Sequence, residues 1–302
     1  MSFFNYIHYF ISRSINYISY YLLFIFWPCE SREDETNRSF LQNYNFKLMQ
    51  KKNKEIISKK NIRCCTWNIH HGYDITRKYT MPFISSYLQQ MDFDIIFLQE
   101  VTNTIFNINN EDITLTTYLS KLLEMEPIHY NGLTILSKFP LTNIQSKSYY
   151  VGNNSFGNHI LRCDINLVKG KTITCVNTHL NSDIIGYEQI EAIPKLGIDK
   201  IIEKYNTNND TLLITGDFNA PRLFSLNRYF SELFKQTDVN NVLTFPTIYP
   251  IANLDKVWYN EKNNEIKIKT ITCDNSIYYS DHIPLLYELS LDYNISVPVL
   301  MS

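Results

Sequence analysis

The sequence predicts a mixed α/β domain over residues 61–302, preceded by an apolar helical arm and a Lys-rich linker over residues 1–60. Two observations carry this. Short apolar runs of strand length alternate with longer stretches of helical period. Charge is also divided unevenly: residues 1–60 carry a net +4 and residues 61–302 a net −6, within a total of −2. Such asymmetry marks two segments with different jobs. The chain has 302 residues, 44% hydrophobic and 19% charged, which suits one large domain or two small ones with a sizeable core. Eight Gly and ten Pro exclude collagen-like and Pro/Gly-rich disordered classes. Asn and Ile are abundant, a pattern expected of an AT-rich genome, so a lone Asn or Ile carries little weight.

Taken in order, Ile62–Ile69 reads as a buried strand ending in His70-His71-Gly72. Residues 80–91 read as a helix with Pro82 early, where the missing amide hydrogen costs little. Asp94–Gln99 is a short apolar run that ends at Glu100. Residues 111–125 suit a helix and 128–137 a strand. Ile160–Val168 and Thr172–Asn177 flank Lys169-Gly170-Lys171 as a hairpin. Residues 186–205 read as a helix despite Pro194 and Gly197, Thr211–Thr215 as a strand, and 222–235 as an amphipathic helix. Val257–Trp258, Ile266–Thr272 and Leu285–Leu289 are the later strands. Of six cysteines none forms a C-x-x-C pair, and Cys163 and Cys175 sit inside strand-like runs. Cys64 and Cys65 are expected to alternate faces of a strand. Reduced core thiols and a reducing compartment are the expectation.

Residues 3–27 are apolar and aromatic, with Arg13 as the one formal charge. The strongest part, Ile15–Trp27, is 13 residues, short of the ~20 that cross a bilayer. A signal-anchor helix, an interfacial helix, a cleaved signal and a soluble arm are the readings; no small-x-small cleavage site follows. Membrane association through residues 1–30 is expected, with the Lys run at 47–60 touching anionic lipid and the domain on the cytoplasmic side. A soluble intracellular protein is the alternative, and nothing points to a protein partner.

The polar residues recur where strands end, which is where sites are built. They are Asn68 in Trp-Asn-Ile, Glu100 in Leu-Gln-Glu-Val, His179 in Asn-Thr-His-Leu, Asp217 and Asn219 in Gly-Asp-Phe-Asn, Asp255 in Leu-Asp, and Asp281 and His282 in Ser-Asp-His-Ile-Pro. Singly, each is a turn or a cap. Six in one order over about 215 residues are more than turns.

That ordered set resembles the endonuclease/exonuclease/phosphatase family, which includes pancreatic-type deoxyribonuclease, abasic-site endonucleases, neutral sphingomyelinases and inositol polyphosphate 5-phosphatases. The resemblance covers roughly residues 61–290. It implies a four-layer α/β/β/α sandwich of two mixed sheets and a Mg²⁺-dependent phosphoesterase, with Mn²⁺ as a substitute. Glu100 would be the main metal ligand, with Asn68 and Asp281 close by, as suits a hard cation. Asp217 would orient or deprotonate the attacking water and Asn219 hold it or the phosphate. His282, paired with Asp255, and His179 would contact the phosphate oxygens. His70 and His71 are either extra substrate contacts or a strand-end cap. Lys256 departs from the usual aromatic or apolar residue, and either reaches phosphate or points to solvent.

The substrate is less determined. His70-His71-Gly72 lacks the continuation of abasic-site endonucleases, and Gly-Asp-Phe-Asn-Ala-Pro differs from the inositol-phosphatase pattern. The −6 balance argues against tight duplex binding, which rests on many Lys/Arg–phosphate contacts. A nuclease-type phosphodiesterase acting on nucleic acid is the first reading. A membrane-tethered enzyme acting on a lipid or inositol head group is the second. A catalytically dead, membrane-associated binding protein is the third.

Overall fold

The computed structural model describes residues 61–291 except 103–104, 109–110, 151–156, 168–169, 183–186, 209–210, 222–224, 235–241 and 261–265. The expected apolar arm and Lys run therefore lie outside the described residues. The strands are β1 (Asn61–Asn68), β2 (Ile95–Gln99), β3 (Ile105–Ile108), β4 (Glu111–Thr114), β5 (Glu126–Tyr130), β6 (Leu133–Ser137), β7 (Leu141–Tyr149), β8 (Asn158–Asn166), β9 (Thr172–His179), β10 (Leu212–Asp217), β11 (Asp255–Tyr259), β12 (Ile266–Cys273) and β13 (Leu285–Leu291). The helices are α1 (Met81–Met91), α2 (Leu115–Leu123), α3 (Tyr187–Leu196), α4 (Ile198–Asn208) and α5 (Ser225–Phe234).

Two sheets result, ordered β12-β13-β1-β2-β6-β5 and β11-β10-β9-β8-β7, with β3-β4 as a separate ribbon. Each has one parallel pair at its centre, β1/β2 and β9/β10, flanked by antiparallel neighbours. The two sheets thus repeat one topology, although no repeat is visible in the sequence. A parallel pair needs a crossover, and α1 supplies one while α3 and α4 supply the other.

Side-chain alternation divides each central strand between two cores. Ile62, Cys64, Ile95 and Phe97 of one sheet meet Leu161, Cys163, Cys175 and Leu213 of the other in the middle. Cys65, Trp67, Ile96 and Leu98 face away, against Ile84 and Leu88 of α1 and Leu119 of α2. Val176, Leu212, Ile214 and Trp258 do the same against α3, α4 and Phe230 of α5. Three apolar interfaces make four layers, α/β/β/α. Cys64 and Cys65 face opposite cores, and Cys64, Cys65, Cys163 and Cys175 are buried and reduced.

Three expected elements are corrected, and one strand was not expected. Residues 128–137 are not one strand but the β5–β6 hairpin, because Asn131 and Gly132 both adopt left-handed backbone and turn the chain. The helix expected over 111–125 starts only at Leu115, since Glu111–Thr114 pairs with β3 and the Thr114 hydroxyl then accepts from the Thr117 amide as an N-cap. The helix expected over 186–205 is two, broken at Gly197, whose φ of 82° no continuing helix tolerates. Strand β7 has no apolar alternation, being an exposed edge, and gave no periodic signal.

Toward one end the inter-sheet face changes from apolar to polar. After Cys64, Phe97, Cys175 and Leu213 come Thr66, Gln99, Asn177 and Thr215, all fully buried. Gln99 Nε2 donates to Asn177 Oδ1 (2.7 Å) and to Thr66 Oγ1 (3.1 Å). Asn177 Nδ2 donates to the Leu98 and Thr134 carbonyls at 2.9 and 3.0 Å. These bonds join the two sheets directly. Replacing Asn177 with Ala leaves buried partners unpaired, and should lower the unfolding free energy by about 3 kcal/mol in urea titration; a change under about 1 kcal/mol would show that the bond contributes little.

Candidate active site

The next polar level sits at the ends of the two parallel pairs. Asn68 closes β1 and Glu100 follows β2, while His179 closes β9 and Asp217 closes β10. Asp255 opens β11, directly opposite Asp217 in the register. Asp281 and His282 lead into β13, which pairs with β1. Strands that run together bring residues distant in sequence to one end of the sandwich.

The turns that follow are sharp. Glu100, His70, His71 and Asn219 take positive φ values of 55°, 44°, 55° and 47°. Asn tolerates this region, but Glu and His there cost of the order of 1 kcal/mol each. Hydrogen bonds hold the turns: His71 N donates to Glu100 O (3.1 Å), His70 N to Asn68 Oδ1 (3.0 Å), and Asn219 N to Asp217 Oδ1 (2.8 Å). Gly216 has φ 134°, and a Cβ there would lie 2.1 Å from the Thr178 carbonyl oxygen. The glycine before Asp217 is therefore what lets β10 approach β9 at the site.

Asp217 is the convergence point and is 1% exposed. Its Oδ2 accepts from Asn68 Nδ2 at 3.0 Å and lies 3.7 Å from both His179 Nε2 and His282 Nε2. Burial raises its pKa, with Asp255 adding to the rise and His282, His179 and the Asn68 amide opposing it. His282 Nδ1 is 2.8 Å from Asp255 Oδ2, both side chains being buried. Burial opposes charge on that imidazole, yet Asp255 and Asp217 outweigh it and hold its pKa well above the ordinary 6.5. The ring is clasped further: Phe245 lies 4.9 Å from it between centroids, and the Trp67 indole donates to the His282 carbonyl at 2.8 Å.

Glu100 occupies the more open side, with its side chain 21% exposed. Oε1 accepts from Asn68 Nδ2 at 2.9 Å and lies 3.7 Å from His179 Nε2, and Oε2 lies 3.4 Å from His71 Nε2. Burial works against its charge, but His179, His71 and the Asn68 amide prevail and bring its pKa down to about 2. Asn219 Nδ2 donates to the Leu180 carbonyl at 2.8 Å and lies 3.3 Å from His179 Nε2. Asp281 Oδ1 is 3.8 Å from His70 Nδ1, and the neighbouring Ser280 hydroxyl donates to the Asn68 carbonyl at 2.8 Å.

The structure thus gathers Asn68, Glu100, His179, Asp217, Asn219, Asp255 and His282 by direct contact, and ties His70, His71 and Asp281 to them. Lys256 is different. It is 1% exposed rather than solvated, its ammonium donates to the Asn253 carbonyl, and it shares the outer strand face of Trp258, opposite to Asp255. Gln99, Asn177, Trp67 and Ser280 were not expected to support the site, although each lies inside a quoted motif. Phe245 carried no signal.

The donor set fits a hard divalent cation. Glu100 and Asp281 are carboxylates at the accessible side, and Asn68 holds an amide between Glu100 and Asp217. Asp217, Asp255 and His282 also place one ligand atom each within 4.8 Å of one another. There, however, His282 Nδ1 is already committed to Asp255, and a protonated imidazole does not ligate metal. Removing the negative charge in Asp255→Asn should drop the His282 pKa toward 6.5 in an NMR titration of the ring. The pair's stabilising effect is full below 6.5 and is lost as pH rises through the raised value, so the variant's deficit should shrink in alkali.

A family model described as endonuclease/exonuclease/phosphatase matches residues 65–282. No curated protein matches the chain. Among solved structures, a mannosyl-6-phosphatase from Bacteroides thetaiotaomicron is 16% identical, with 76% of this chain and 100% of that one covered at a TM-score of 0.59. The human Nocturnin catalytic domain with bound sulfate is 16% identical over 77% and 94% of the two chains, TM-score 0.58. Truncated TDP2 from Caenorhabditis elegans is 16% identical over 78% and 100%, TM-score 0.54. At such identities the likeness establishes the fold.

Proposed function

Because the chain belongs to the endonuclease/exonuclease/phosphatase family of phosphoesterase hydrolases, we propose that it hydrolyses a phosphodiester in a divalent-metal-dependent reaction of the nuclease type. The observation that carries this is the buried Asp217 carboxylate, placed between the Asn68 amide and two imidazoles, one of them held protonated by Asp255.

In this reading Asp217 accepts a proton from the attacking water. Its raised pKa suits it to take that proton. Asn68, bonded to Oδ2, keeps the carboxylate from turning, and Asn219 holds the water or the phosphate beside it. Water oxygen bonds to phosphorus, the bond to the leaving oxygen breaks in line, and the departing alkoxide takes its proton from solvent water. His282 donates Nε2–H to a non-bridging oxygen and His179 does so from the opposite side, balancing the charge that develops. Mg²⁺, or Mn²⁺ in its place, held by Glu100 with Asn68 and Asp281, would supply further positive charge against the phosphate. Such charge would offset the four carboxylates gathered there, Glu100, Asp217, Asp255 and Asp281.

Asp217→Asn and His282→Ala should each lower turnover about 10²–10⁴-fold in protein that remains folded by circular dichroism, and chelation by EDTA should remove activity that Mg²⁺ restores. No hydrolysis of plasmid DNA, RNA, sphingomyelin or an inositol phosphate with either metal would refute the proposal. A lipid or inositol head group is the second reading, favoured by the aromatic, apolar residues 3–27 and the following Lys run. No helix of the described residues is long and apolar enough to cross a membrane. The second reading thus rests on residues 1–30, and deleting them should abolish co-sedimentation with anionic vesicles; equal sedimentation of both forms would remove its support.

A further inference from the structure

The polar level of the second sheet does not stop at the proposed catalytic groups. Across the register, Asp255 of β11 stands opposite Asp217 of β10, Asp217 beside His179 of β9, His179 opposite His159 of β8, and His159 opposite Ser148 of β7. Directly paired residues share a face. One unbroken row of polar side chains therefore crosses all five strands on the side that faces the other sheet. The first three members belong to the reaction proposed above. The last two have no part in it.

His159 and Ser148 are built as a unit. His159 Nδ1 lies 2.7 Å from Ser148 Oγ, which donates to Tyr130 OH (3.0 Å) and accepts from Asn131 Nδ2 (3.0 Å). Tyr130 and Asn131 come from the β5–β6 hairpin, so both sheets contribute. With its one proton given to Tyr130, the serine accepts from His159 Nδ1–H, and Nε2 is left as a lone-pair acceptor. Among the described residues that nitrogen has no hydrogen-bond partner. Beside it stands Tyr150, 47% exposed, with its ring 5.6 Å from the His159 ring and at 74° to it. Gly157 makes this packing feasible: a Cβ there would come within 2.5 Å of the Tyr150 ring and 2.7 Å of the His159 ring.

We infer that His159 and Ser148, with Tyr130, Asn131 and the face of Tyr150, form a recognition subsite for a hydroxyl-bearing ring attached to the scissile phosphate, as in a sugar or polyol ester. The inference rests on the phosphodiesterase reading above, and names its substrate class. A second phosphate would need fixed donors or positive charge, and this end of the row holds neither Lys nor Arg. Burial, and then the charge of His179, push the His159 pKa down to about 4, which keeps the ring neutral at physiological pH. A hydroxyl can donate its proton to the Nε2 lone pair that this neutral imidazole presents. An exposed aromatic face next to neutral hydrogen-bonding groups suits the apolar face of a sugar ring. His159 and Ser148 are specificity residues here, not catalytic ones.

The test compares two phosphodiesters on the full-length protein with Mg²⁺: the p-nitrophenyl ester of thymidine 5′-phosphate, which carries a hydroxylated ring, and bis(p-nitrophenyl) phosphate, which does not. In Ser148→Ala and His159→Leu, the ratio of kcat/KM for the first over the second should fall about tenfold, chiefly through KM. His159→Gln, which keeps a neutral hydrogen-bonding group, should recover part of it and carries the test if the leucine variant does not fold. An unchanged ratio in folded variants overturns the subsite while leaving the phosphodiesterase reading intact. Failure of the unaltered protein to cleave either ester overturns both.

Discussion

The bond between Gln99 and Asn177 is the constraint on which the site depends. Two sheets packed through apolar side chains alone would slide within the tolerance of such contacts, because the hydrophobic effect has no direction. A buried amide pair does have direction. Gln99 reaches across to Asn177, and Asn177 reaches back to backbone carbonyls of β2 and β6, so the last turn of each parallel pair is set against the other. Asn68 and Asp217, which come from opposite sheets, then meet at 3.0 Å. A buried polar layer is costly wherever a member lacks a partner, and Gln99 Oε1 has none among the described residues; the layer lies between the apolar middle and the open end.

From that alignment the electrostatics follow. One imidazole is kept charged by a buried carboxylate, one carboxylate is held down to about 2 by imidazoles and an amide, and a third, in the centre, is pushed upward by burial. The separation comes from depth. Glu100 reaches the open side, while Asp217 and Asp255 lie deeper. Groups of one chemical type thereby differ in charge and access by position. The same row continues outward to neutral groups at His159 and Ser148, so charge falls away along the sheet from the proposed reaction centre to its flank.

The two halves of the molecule use one plan twice. Each parallel pair ends in site residues, each is flanked by antiparallel strands, and each outer face is covered by its own helices. The sequence shows no repeat because only a handful of positions are constrained by the plan, and the rest need only be apolar with period two. That tolerance also explains how solved structures with 16% identity share the fold.

The sequence by itself determined the domain's class, most strand and helix positions, and the six segments that carry the site, since buried strands leave continuous apolar runs and their ends carry the polar groups. It was silent at the exposed edge β7, whereas Asn131-Gly132 and Gly197 are the turn and helix-stop residues that mark the hairpin inside 128–137 and the break in 186–205. Tertiary structure alone decided which groups touch. That Lys256 is buried on the outer face and that Phe245 lies on His282 depend on how separate strands pair and pack. Such pairings are chosen by the packing of whole sheets, and no local stretch of sequence encodes them.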